Sequence, residues 1–87
     1  MHAVVVRVTI DDRESAEKAL REEVVPRVSQ APGFVAGYWT RKDDKGLSMI
    51  IFESEDAAKQ ASERLQENIP AAVTFEGVEM REVAAHA

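Results

Sequence analysis

The pattern of residues along this 87-residue chain predicts an α+β domain with the order β-α-β-β-α-β. That order is the ferredoxin-like arrangement, a four-stranded antiparallel sheet with two helices on one face. Three observations predict it. Stretches of valine, isoleucine and aromatic residues, alternating or unbroken, are separated by two stretches whose apolar residues recur at helical spacing. Turn-forming residues, Pro32-Gly33, Asp43-Asp44-Lys45-Gly46 and Pro70, fall between them. Nothing is left over for a linker, a repeat or a low-complexity tract, so residues 1–87 read as a single domain.

The first strand is predicted over His2 to Ile10, with Val4, Val6, Val8 and Ile10 on one face and Ala3, Val5, Arg7 and Thr9 on the other. Asp11 is the expected N-cap of the first helix, with Glu14 in the capping-box position. Ala16, Leu20, Val24 and Val28 form its apolar stripe, and Glu14–Lys18, Glu17–Arg21 and Glu23–Arg27 pair on the wet side. Pro26 removes a backbone donor, which predicts a kink near Glu22 to Pro26, and Pro32-Gly33 ends the segment. The second strand is expected over Phe34 to Lys42. A turn follows in which Gly46 takes the left-handed position, and the third strand runs from Leu47 to Glu53. Ser54 caps the second helix, whose inward stripe is Ala57, Ala58, Ala61, Leu65 and Ile69. Pro70 stops it before a last strand over Val73 to Ala84.

Composition narrows the function classes. Sixteen acids against eleven bases give a net charge of −5, the wrong sign for a nucleic-acid surface or an anionic membrane. No cysteine is present, which excludes disulfides, thiolate metal sites and a cysteine nucleophile. No apolar run approaches the length that spans a bilayer, and the expected location is cytoplasmic. A chain of this size buries only roughly 63% of its extended surface when folded alone. The third strand carries Met49, Ile50, Ile51 and Phe52 without alternation, and the first has Ala3 and Val5 on its second face. Two helices cover one face of a sheet, so the other face is expected to meet a second copy of the chain.

The run Pro32-Gly33-Phe34-Val35-Ala36-Gly37-Tyr38-Trp39, the hairpin after it and the junction Phe52-Glu53-Ser54-Glu55-Asp56-Ala57 resemble the dimeric α/β-barrel proteins. More narrowly, they resemble the antibiotic-biosynthesis-monooxygenase group. The resemblance implies two ferredoxin-like units whose sheets close into a shared barrel, a homodimer through the sheet face with the helices outside. For active members it implies oxygenation of aromatic or quinol-like substrates without a cofactor, or haem degradation. Such members tend to use an asparagine in strand one, a tryptophan just before the second helix and sometimes a histidine within it. Here strand one has Arg7 and Thr9, Phe52 matches the tryptophan position, and the second helix has no histidine. Two readings follow. One is a cofactor-independent monooxygenase-like protein that acts on or binds a small planar aromatic compound. The other is a non-catalytic homodimeric module, for ligand binding or interaction, that lacks the family's catalytic residues.

The candidate ligand-binding residues are Arg7, Tyr38, Trp39 and Phe52. Tyr38 and Trp39 are the only residues of their types and, being adjacent in a strand, point to opposite faces: each either stacks on a planar ligand or fills a core or interface. Arg7 in a valine-rich strand either pairs with a carboxylate such as Glu53, Glu76, Glu79 or Glu82, or faces a cavity and holds an anion. Arg41 reads as a solvated strand end. His2 and His86 are the only imidazoles, and either one would have to ligate the iron if haem were bound. Glu53, Glu55 and Asp56 read either as an acidic metal cluster or as carboxylates favoured at a helix start. No metal or cofactor is implied.

Overall fold

The computed structural model describes residues 1–87. Strand β1 (His2–Ile10) leads to a helical layer made of α1 (Arg13–Ala19), a π-helical turn (Leu20–Val24) and α2 (Val25–Ser29). Strands β2 (Phe34–Lys42) and β3 (Lys45–Phe52) form a hairpin, followed by α3 (Glu55–Glu67) and β4 (Val73–Glu82). The sheet is antiparallel throughout, in the order β2-β3-β1-β4. The valine-rich β1 is therefore central, which explains why Ala3 to Val6 form a continuous buried run.

Local chemistry explains the boundaries, including those that differ from expectation. Asp12, not Asp11, caps α1: its carboxylate accepts from the Ser15 N–H at 3.2 Å. Asp11 stays with the sheet, donating its N–H to the Ala72 carbonyl and accepting from the Thr74 hydroxyl at 2.7 Å. The interruption expected near Pro26 is the π turn. A proline ring crowds the carbonyl four residues back, here that of Glu22, and the wider turn lets the Val25 N–H reach Leu20 instead. Gly33 turns the chain into β2 with φ of 79°, in the left-handed region.

The hairpin is tighter than the sequence suggests. Lys42 pairs with Lys45, leaving Asp43-Asp44 as the turn, and the left-handed residue is Asp43 (φ 55°), not Gly46. Gly46 lies inside β3, where a Cβ would come within 2.8 Å of a Val8 methyl. The Ser54 hydroxyl caps α3 as expected, accepting from the Ala57 N–H. That helix ends at Glu67 and β4 at Glu82, two residues short of the expected limit.

The core lies between the helices and one sheet face. Val4, Val6, Ile50 and Phe52 meet Val28 from α2 and Ala58 and Ala61 from α3. Alanines on α3 let that helix approach closely. Phe52 is 0% exposed and packs edge-on against Phe34, with ring centroids 6.2 Å apart.

Candidate functional site

Cross-strand register decides which side chains share the helix-covered face. One row across the sheet is Trp39, Ser48, Val6 and Val78, and the next is Arg41, Gly46, Val8 and Phe75. Ser48 and Gly46 in the middle of these rows are small. Above them α1 contributes no fully buried residue. The result is a half-open cavity of about 600 Å³ between the sheet, the first helical layer and the end of α3 with the segment that follows it. Its walls are apolar where Val6, Val8, Ile10, Leu20 and Trp39 meet. Trp39 lies over Gly37, whose missing Cβ would come within 2.7 Å of the indole. The ring occupies space that any other residue at position 37 would contest.

The charged part of the same cavity is made by Arg13, Glu17, Arg21 and Arg41. Arg41 projects from β2 and donates a hydrogen bond to Glu17 on α1, tying strand to helix across the cavity. Arg13 and Arg21 flank the same carboxylate from one helical turn on either side, each at 3.7 Å. The Arg41 hydrogen bond, then its charge, hold the Glu17 carboxyl below its ordinary pKa against an opposing partial desolvation, and Arg13 and Arg21 add smaller contributions in the same direction as Arg41.

The other sheet face is open. Its rows are Ala36–Ile51–Ala3–Arg81, Tyr38–Met49–Val5–Glu79 and Thr40–Leu47–Arg7–Gly77. The β2–β3 half is apolar, with Tyr38 64% exposed and Leu47 and Met49 also exposed. Ala3 and Val5 are each 4% exposed although no helix lies above them; on this central strand their cross-strand neighbours are Ile51 and Arg81, and Met49 and Glu79. The β4 half is charged: Arg7 donates to Glu79 at 2.9 Å, and Arg81 donates to the same oxygen at 3.0 Å. These two hydrogen bonds, Arg7 first, lower the Glu79 pKa.

A crystal structure of a dimeric ferredoxin-like protein from an uncultured marine organism superposes on the whole chain. The TM-score is 0.64, with 11% sequence identity, covering 100% of this chain and 98% of the other. The fold is ferredoxin-like. No family model and no curated protein matches the sequence. No helix is long and apolar enough to cross a membrane.

Within this ferredoxin-like frame the four residues singled out from sequence do not form one site. Trp39 lines the cavity. Phe52 lies in the core and is not part of the cavity wall. Arg7 and Tyr38 lie on the opposite, open face, and Arg7 takes the structural partner Glu79. The arginine that does reach the cavity from the sheet is Arg41: it is exposed near the strand end, as expected, and its side chain, 32% exposed, also lines the cavity. The signal was its parity with Trp39, two residues earlier in the same strand and so on the same face. His2 lies in the row with Phe52 and Phe34, its Nδ1 buried without a partner and its Nε2 4.0 Å from the Glu55 carboxylate. Glu55 and Asp56 occupy the first turn of α3, and no group of three histidine or acidic side chains is placed to hold a metal ion.

Proposed function

We propose that the chain acts as a homodimer that binds a small planar aromatic compound in the helix–sheet cavity of each protomer, the protomers joined through their open sheet faces. The observation that carries the ligand reading is the cavity itself: about 600 Å³, mostly apolar, with the chain's only tryptophan in its wall. The dimer reading is supported by the exposed apolar half of the open face, and by the similarity in fold to a protein that is dimeric. Joining two such faces would stack sheet on sheet, giving a barrel with helices outside.

The resemblance to the monooxygenase group extends this reading to oxygenation of the bound compound. Such a reaction needs a group that takes a proton from the substrate. The carboxylate in the cavity is Glu17, which Arg41 holds deprotonated and engaged, and no histidine lines the walls. Binding without turnover is the reading the geometry supports best. The test is quenching of Trp39 emission by a panel of anthrone- and quinol-type compounds, run in parallel with oxygen uptake. Saturable quenching with a flat oxygen trace is the expected result. Oxygen consumption that tracks occupancy would establish the monooxygenase instead, and absence of saturable quenching across the panel would remove the aromatic-ligand reading.

A further inference from the structure

We propose that the cavity selects an anionic ligand, with an apolar planar body against Trp39, Val8 and Ile10 and an oxyanion received by Arg41, Arg13 and Arg21. This rests on the reading of the cavity as a ligand site and adds the chemical class of what enters it.

The argument begins with charge. Three guanidinium groups line the cavity and one carboxylate, Glu17, faces them, a local excess of two positive charges in a chain whose net charge is −5. Around the rest of the wall the residues are neutral or apolar. A cleft of one sign against low-dielectric walls concentrates its field on whatever enters. The donor inventory points the same way. A guanidinium carries five N–H donors and a carboxylate about four acceptor positions, so Glu17 leaves most of the donors of three arginines free for a second oxyanion.

Geometry places that oxyanion. Arg41 rises from the floor of the sheet beside Trp39, while Arg13 and Arg21 hang from the helix above, with exposures of 67% and 76% against 32% for Arg41. The three therefore grade from the cavity wall to solvent. A negative group entering along this gradient meets the outer pair first and Arg41 last, as the apolar body reaches the indole. Glu17 is the built-in competitor: it occupies Arg41 when the cavity is empty and must share that group when an anion is bound.

The experiment compares two fluorescent probes that differ by one group, 8-anilinonaphthalene-1-sulfonate and the neutral N-phenyl-1-naphthylamine. The Ser48→Leu variant, which fills the cavity floor, separates cavity binding from binding at the open sheet face. Wild-type protein is expected to bind the sulfonate at least about tenfold more tightly than the neutral probe, the scale of a single charge-assisted hydrogen bond. Ser48→Leu is expected to weaken both. Arg41→Met should weaken the sulfonate far more than the neutral probe and so abolish the preference between them, and Glu17→Gln should raise the preference for the sulfonate. The Glu17 variant keeps the test decisive if removal of Arg41 impairs folding. Equal affinity for the two probes, both sensitive to Ser48→Leu, would overturn the anion selectivity and leave the aromatic pocket standing. Binding of neither probe in a Ser48-sensitive manner would overturn both.

Discussion

Trp39 and Gly37 share one patch of strand, the indole lying where a Cβ at position 37 would come within 2.7 Å of it. Gly37→Ala must therefore push the ring into the cavity or bend the strand, and overpacking of this kind costs about 1–3 kcal/mol. The expected result is a lowered urea midpoint together with a shift in the emission maximum of the single tryptophan. Unchanged emission would show that the ring does not depend on that glycine. The arginine–carboxylate groups act at the same scale but through solvent. Glu79 has its pKa lowered in the folded protein, first by the Arg7 hydrogen bond and then by that of Arg81. A group of this sign contributes stability above its unfolded pKa and loses it as pH falls through the folded value. The contribution is thus present at neutral pH and disappears below the ordinary glutamate range. Arg7→Gln is expected to flatten the acid limb of a plot of urea midpoint against pH.

At the scale of elements, the starts of α1 and α3 each rest on a single short side chain. Ser54 and Asp12 each satisfy one otherwise orphaned N–H at the start of α3 and α1. Replacing either by alanine is expected to cost about 1 kcal/mol in urea denaturation. The helical layer over 13–29 is held more loosely than α3: it is broken by the π turn, and its only fully buried residue is Val28. That looseness is what leaves room for the cavity, since α1 stands over Ser48 and Gly46 without filling the space above them. The order and type of the elements were legible from the apolar patterning and the turn residues between the stretches. Their ends were less so. Two adjacent aspartates compete for the cap of α1, and the outcome depends on Ala72 and Thr74, more than sixty residues away, which claim Asp11 for the sheet. Gly46 was misread for a similar reason: its need for a missing side chain comes from Val8 across the sheet, not from the turn next to it.

For the whole molecule, the two sheet faces have separate tasks. The covered face carries the core and the cavity, both built within one protomer, while the open face carries Tyr38, Met49 and Leu47 beside the Arg7–Glu79 pair. A charge at Tyr38 is therefore expected to break association without emptying the cavity. In light scattering, wild-type protein should show twice the 9.6 kDa chain mass, and Tyr38→Glu the single mass, with probe binding at Trp39 preserved. The wild-type urea midpoint should rise with protein concentration and that of Tyr38→Glu should not, because only association of folded chains adds stability by mass action. A wild-type monomer would overturn the dimer and leave the protein with an exposed apolar sheet to be explained in another way.

Alternation of apolar residues, helix caps and turn chemistry in the sequence determined the element order, the ferredoxin-like fold and the presence of a second apolar sheet face. These are properties of near neighbours in the chain, where a period of two or of about three and a half residues is enough to assign a face. Membership of the site was decided only by the tertiary structure. Tyr38 and Trp39 are adjacent, and nothing local says which of them turns toward the helices; register across the sheet sends Trp39 to the cavity and Tyr38 outward with Arg7. The same register puts Arg41 opposite Gly46 on the helix-covered face, where it meets Glu17 from a segment twenty-four residues earlier in the chain. Which charge faces which cavity is a long-range property, set by how the sheet pairs and where the helices settle on it.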